Sequence, residues 1–259
     1  MSRPMSTVAV TGGTGTLGRE VVGALVAAGH DVVVTSCSSS SLRDGVRTVR
    51  VDYGRPVELR AAFERADAVV HCATNVTGLR GGEAELGKRV LAAARDAGCG
   101  HLVYISIVGA DRIPLPYYKA KTSTERLVED GGVPWTILRA TQFHELVARL
   151  SSALTRSPLV LVPDIRFQPV SVTEVGARLA DLARGSPAGR VRDLGGPEIA
   201  DWPDLVRQFQ AAAGRSRPVR PITLFGSVYA GYRAGHHLAP DGDTGTITFQ
   251  QYLADRFRR

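Results

Sequence analysis

The sequence predicts an α/β fold in which a doubly wound parallel sheet carries a small C-terminal cap. Three observations predict it. Short β-branched runs alternate with longer amphipathic stretches through the first half of the chain, the pattern of β-α-β units. A glycine-rich loop lies directly between the first run and the first amphipathic stretch. The chain has 259 residues, 44% hydrophobic and 22% charged, enough for one large packed domain with a small lobe.

Residues 8–10 (Val-Ala-Val) read as a buried strand. Leu17, Val21, Val22, Leu25 and Ala28 follow at helical spacing, with Arg19 and Glu20 on the other side. A helix is therefore expected over 17–28, with Gly29 as its C-cap. The next strand is 31–35, and a serine-rich loop, 36–41, comes after it. Further strands are expected at 48–51, 68–71, 101–106 and 135–138. Helices are expected at 57–65, at 83–97 (stopped by Gly98) and at 116–129, the last with Pro116 in its first turn. In the second half, 143–155, 173–183, 201–213 and 247–257 read as helices, the third capped by Asp201. Pro158, Pro163 and Pro169 break the stretch between the first two into short extended pieces, and Pro218 and Pro221 mark a connection. Residues 224–238 form an aromatic, glycine-rich segment.

Several classes are excluded as expectations. Cys37, Cys72 and Cys99 are too few and too scattered for a disulfide framework, and no C-x-x-C pair suggests a metal, so a reducing cytoplasm is expected. No apolar run approaches the roughly 20 residues of a membrane helix, and the first six residues are too short and polar for a signal peptide. The 32 Lys and Arg outnumber the 25 Asp and Glu, giving a net charge of +7. These basic residues are dispersed without a like-charge block, so nucleic acid is not an expected partner and neither is a membrane. Such a charge does attract phosphate-bearing small molecules. Oligomeric state is left open.

The loop reads Thr11-Gly12-Gly13-Thr14-Gly15-Thr16-Leu17-Gly18 and satisfies both G-x-x-G-x-x-G and G-x-G-x-x-G. Glycines permit a tight turn and a close approach of backbone to a pyrophosphate, and the following helix aims free N–H groups and its positive end at the anion. Gly12, Thr14, Gly15, Thr16, Leu17 and Gly18 are therefore candidate cofactor residues of a dinucleotide-binding loop. A ribose-binding acid belongs at the end of the second strand, yet Thr35, Ser36 and Cys37 stand there. Its absence removes a repulsion against a 2′-phosphate, to which Ser36, Cys37, Ser38 and Arg43 are the nearby candidate contacts. NADP is favoured, with NAD as the alternative. Asp52 and Tyr53 follow the third strand, and Cys72, Ala73 and Thr74 the fourth, at the carboxyl ends where open α/β sheets bind ligands. The organisation expected is one domain over 1–259, with a dinucleotide-binding core at 6–142 and a mixed region at 143–259 that completes the sheet and forms the cap.

Tyr117 and Lys121 are four residues apart on an expected helix and share one face. An ammonium near a phenol favours phenolate, so tyrosine can serve as acid or base nearer neutral pH. Ser106 ends the fifth strand, where its hydroxyl can bond a substrate carbonyl oxygen. Ser106, Tyr117 and Lys121 are the candidate catalytic residues.

The glycine loop, the strand ending in Ser106, Tyr117-x-x-x-Lys121 and Leu138-Arg139-Ala140-Thr141-Gln142-Phe143 together resemble the short-chain dehydrogenase/reductase superfamily. More narrowly, they resemble its atypical, NmrA-like branch of NAD(P)H-binding proteins, over about residues 6–215 on loop order and motif position. The resemblance implies a Rossmann-type fold. It implies that Lys121 holds the nicotinamide ribose and tunes Tyr117, that Ser106 orients the carbonyl, and that Ala140, Thr141, Gln142 and Phe143 pass the nicotinamide.

Phe143, His144, Phe167, Phe225, Tyr229 and Tyr232 are the candidate substrate-pocket residues, the last three at i, i+4, i+7 spacing as on one helix face. His236 and His237 lack a further ligand at metal spacing, so no metal is expected. The expected function is an NADPH-dependent reductase that passes hydride to a carbonyl, quinone or enone of a small hydrophobic, polyketide-like substrate, with Tyr117 as proton donor. The alternatives are a non-catalytic NAD(P)-binding redox sensor of NmrA type and a cofactor-retaining epimerase or isomerase.

Overall fold

The computed structural model describes residues 6–37, 46–74 and 82–258. Strand β1 (Thr7–Thr11) runs into α1 (Thr16–Ala27), and the chain returns as β2 (Asp31–Ser36), parallel to β1 from Thr7↔Asp31 to Thr11↔Thr35. Gly29, at φ +80°, lies just past this helix in the left-handed turn that L side chains rarely adopt. Then come β3 (Arg47–Arg50), α2 (Pro56–Phe63), β4 (Ala68–His71), α3 (Gly82–Asp96), β5 (His101–Ile107), α4 (Pro116–Asp130) and β6 (Trp135–Ala140). The strands order as β6-β5-β4-β1-β2-β3. The chain winds outward from β1 in both directions, and the reversal falls between β1 and β4. Val8, Ala9, Val10, Val69 and Val70 are wholly buried. Strands covered on both faces read as unbroken apolar runs, so they were visible in the sequence.

After β6 come α5 (His144–Leu154), β7 (Val160–Pro163), β8 (Arg166–Phe167), α6 (Val172–Arg184), β9 (Gly189–Arg190), β10 (Leu194–Gly195) and β11 (Ala200–Asp201). The chain continues through α7 (Trp202–Ala212), β12 (Val219–Ile222), α8 (Ser227–Arg233), β13 (Asp243–Thr244) and α9 (Phe249–Phe257).

Two compact units emerge. The first comprises residues up to 106 with 119–138 and 172–191; the second comprises 107–118, 139–171 and 192–259. The first unit is thus discontinuous in sequence. Helix α6 belongs to it and packs on α1, where a Cβ on Gly176 would come within 2.6 Å of Glu20 Cβ and 3.0 Å of Glu20 backbone carbon. Only a residue without a side chain permits that approach.

The second unit has its own core, including Val147, Val160, Val162, Phe167, Leu205 and Phe209. Helices α5, α7 and α9 gather there with the parallel pair β7–β12 and the antiparallel pair β8–β11. β10 pairs with β13 and, at Leu194↔Ala140, with the end of β6. Two expectations need correction. Asp201 sits at the N-cap of α7, but its side chain makes no capping hydrogen bond. Phe225 lies outside α8, so Phe225, Tyr229 and Tyr232 do not form one helical stripe.

Helix α9 starts later than the apolar pattern suggests because Thr248 caps it. Its hydroxyl accepts from Gln251 N at 3.1 Å, and the Gln251 side chain accepts from Thr248 N at 2.8 Å. Thr248→Ala is expected to cost about 1 kcal/mol, read as a lower urea midpoint at constant slope.

Candidate cofactor and active site

The parallel registers bring the carboxyl ends of β1, β2 and β4 to one edge of the first unit, with Thr11 paired to both Thr35 and His71. Gly12 turns the chain out of β1 at φ +66°. Its N–H is shared between the Thr35 carbonyl at 3.1 Å and the Tyr53 hydroxyl at 3.2 Å. That hydroxyl in turn donates to the Thr35 carbonyl at 3.1 Å. Burial pushes the Tyr53 phenol up to about 12, so it remains a neutral donor at physiological pH. Gly15, the N-cap, donates to the Gly12 carbonyl at 2.9 Å and closes the turn. The following amides have no helical acceptor, and α1 carries no acidic residue in its first turn. Thr16 is exposed there, whereas Leu17 and Gly18 are buried. The edge therefore suits an anion.

The flanking candidates fall as follows. The Thr14 and Ser36 hydroxyls are 3.0 Å apart, tying the loop to the end of β2. Cys37 is exposed. Ser38 and Arg43 lie outside the described residues. Asp52 accepts from Gly54 N at 2.8 Å, closing a tight turn before α2. Ala73 is buried against Gly12, and Thr74 is exposed. Burial pushes the Cys72 thiol up to about 12, which leaves it unreactive.

A polar row runs inward from the same edge. Thr11 Oγ1 accepts from Ala73 N at 3.2 Å and meets His71 Nδ1 at 2.8 Å. His71 stacks on Tyr104, with centroids 5.3 Å apart. Beyond Tyr104 sits Lys121, 3% exposed, with Nζ 4.9 Å from the ring centroid, 3.3 Å from the Ile105 carbonyl and 2.7 Å from Glu83. Burial pulls His71 down to about 4, against an upward pull from Glu83, so the imidazole is neutral. Ser106, next to last in β5, is 2% exposed, and its Oγ has no hydrogen-bond partner among the described residues. Thr11, His71, Tyr104 and Glu83 escape a reading of the sequence. Only Thr11, inside the glycine motif, carried any signal.

The second unit gathers different candidates. Tyr117 is half-buried in a cluster with Ile107, Ala110, Ile113, Leu115 and Tyr232. Its neighbour Tyr118 is buried and places its hydroxyl 3.2 Å from that of Tyr232; burial pushes it far above the usual phenol range. Ala140 and Thr141 are buried, and Thr141 donates to the Gln168 carbonyl. The Gln142 amide is engaged at both ends, donating to the His237 carbonyl at 3.0 Å and accepting from Gln168 N at 3.2 Å. Phe143 is the N-cap of α5 and bridges to Val170.

Three pocket candidates prove to be core. His144 is 1% exposed, bonds the Pro169 carbonyl at 3.1 Å and lies 5.1 Å from the Tyr252 ring. Phe167 packs edge-on against Trp202 and His237. Tyr229 is buried and donates to the Asp164 carbonyl at 3.0 Å. Phe225, by contrast, is 92% exposed. An aromatic residue on an apolar segment fills a core as readily as it lines a pocket, so composition alone could not separate these cases.

Residues 12–153 match the NAD(P)H-binding family. A (4-alkanoyl-5-oxo-2,5-dihydrofuran-3-yl)methyl phosphate reductase of Streptomyces griseus subsp. griseus is 29% identical over 215 residues, spanning 80% of this chain and 74% of that protein. Quinone oxidoreductase 2 of Escherichia coli is 28% identical over 217 residues, spanning 80% of this chain and 75% of that protein. The NADPH complex of an Escherichia coli NADPH-dependent quinone oxidoreductase aligns over 96% of this chain and 99% of that one, with a TM-score of 0.81 at 18% identity. That likeness establishes a shared fold.

Proposed function

This chain belongs to the NAD(P)H-binding family, as the resemblance to the NmrA-like branch implied, and from that premise we propose that it is an NADPH-dependent reductase of small hydrophobic carbonyl, quinone or enone compounds. The observation that carries the reading is the glycine turn with its unopposed helix amides, at an edge where the end of β2 holds hydroxyls instead of a carboxylate. A Cβ on Gly12 would fall 2.7 Å from Ala73 Cα, so only glycine lets the chain turn there and lead into those amides. The names of the Streptomyces and Escherichia coli relatives, a reductase and a quinone oxidoreductase, support the reaction class.

In this reading the amides after Gly15 take the diphosphate, and Thr14 and Ser36 lie toward the 2′-phosphate. Asp52, Tyr53, Cys72, Ala73 and Thr74 surround the adenosine. Lys121 takes the nicotinamide ribose, and Ala140 to Phe143 pass the nicotinamide. Bound NADPH supplies the hydride. Ser106 offers an uncommitted hydroxyl to the substrate oxygen. Tyr117 delivers the proton from an apolar cluster suited to a hydrophobic substrate.

NADPH oxidation followed at 340 nm with quinones, enones and ketones tests the reading. Turnover at least about tenfold faster with NADPH than with NADH on one acceptor class is expected. Tight NADPH binding without turnover on any acceptor would replace the reductase with a redox sensor. Product formed with NADPH recovered unchanged would replace it with an isomerase.

A further inference from the structure

Lys121 has an acidic partner that no motif contains. Helices α3 and α4 both follow parallel strands and so run in the same direction. They touch where a Cβ on Gly87 would collide with the Thr124 side chain, 3.0 Å from its Oγ1 and closer still to its methyl. One turn earlier on α3 stands Glu83, and about one turn earlier on α4 stands Lys121. The close contact at Gly87 therefore sets their separation, and the carboxylate and ammonium meet at 2.7 Å. Their side chains are 2% and 3% exposed, so water screens the pair very little. Glu83 lies in the first turn of α3, where the helix dipole stabilises a carboxylate.

We propose that Glu83 is the positioning residue for Lys121, holding its ammonium charged and fixed at the carboxyl edge of β5 for the ribose of a bound nicotinamide nucleotide. The proposal rests on the reading that Lys121 takes that ribose. A lone ammonium in a dry interior sheds its proton and moves toward solvent. The carboxylate prevents both, while the Ile105 carbonyl at 3.3 Å and the Tyr104 ring fix the direction of approach. Among the described residues, the other titratable groups shown to interact with Lys121 are Tyr104 from β5, His71 from β4 and Cys72 just after it. Burial pushes Tyr104 and Cys72 up to about 12 and pulls His71 down to about 4. None of the three changes charge between about pH 7 and 9, so a response in that window reports the Glu83–Lys121 pair.

The chain has three lysines, and Lys88 and Lys119 are exposed. Uniform 15N-lysine labelling of the intact protein therefore gives three side-chain signals, with Lys121→Met assigning the buried one. Slow proton exchange at Lys121 alone is expected; exchange as fast as at the two exposed lysines overturns the proposal without any change at Glu83. Calorimetry with NADPH supplies the second readout. Wild type is expected to hold its affinity within about twofold between about pH 7 and 9, above the titration of the 2′-phosphate. Glu83→Gln is expected to lose about tenfold over the same window as Lys121 deprotonates, and Glu83→Asp to restore the flat profile. A flat profile in folded Glu83→Gln overturns the proposal. Lys121→Met should bind NADPH about tenfold more weakly at every pH. Unchanged affinity there removes the ribose reading itself, a failure distinct from that of Glu83.

Discussion

Gly12→Ala is expected to weaken NADPH binding by at least about 100-fold, with a fall in melting temperature, measured by calorimetry and thermal unfolding. Two costs add. The left-handed φ of +66° is unfavourable for any L side chain by about 1–2 kcal/mol. The new Cβ would also stand 2.7 Å from Ala73 Cα and 2.8 Å from Ala73 N, which are backbone atoms of the neighbouring strand end and cannot swing aside. The turn must therefore move, and the Gly15 N–H to Gly12 carbonyl bond that aims the start of α1 moves with it. Gly29→Ala is the matched control. Its φ of +80° carries the same backbone strain, but the added methyl meets nothing within 4 Å. It should lose about 1 kcal/mol of stability and keep its NADPH affinity. If Gly12→Ala bound NADPH as wild type does, the loop would not be the diphosphate site.

The same contrast explains what the sequence could disclose. The strands of the first unit were legible because burial on both faces demands unbroken runs such as Val8-Ala9-Val10 and Val32-Val33-Val34. The glycine loop was legible because backbone geometry restricts residue type there directly. β10 and β13 are two residues each, too short to carry a period, and α6 joins the first unit through Gly176, whose role exists only where α1 lies beside it. The Glu83–Lys121 pair is separated by 38 positions and depends on the contact at Gly87, so no local pattern announces it. His144 and Phe167 show the converse failure. Their residue types suit a pocket, but tertiary packing placed them in the core.

Tyr117→Phe is expected to separate two kinds of acceptor. A ketone that receives hydride becomes an alkoxide, about as basic as hydroxide and far more basic than a phenolate. It needs a proton as the hydride arrives, and loss of a positioned acid typically costs about 100- to 10,000-fold in kcat. A quinone that receives hydride becomes a phenolate-like anion, with a conjugate acid near 10 by comparison with tyrosine. Such an anion can leave the enzyme or take a proton from water, so its kcat should fall less than about tenfold. The candidate for this acid is Tyr117, because Tyr118 is buried and paired with Tyr232, with its phenol pushed far above the range in which it could transfer a proton. The measurement is kcat for a ketone and a quinone of similar size, wild type against variant, at saturating NADPH. A large loss on the ketone with little on the quinone assigns the proton to Tyr117. Equal rates of variant and wild type on both substrates would leave hydride transfer intact and remove Tyr117 as its acid.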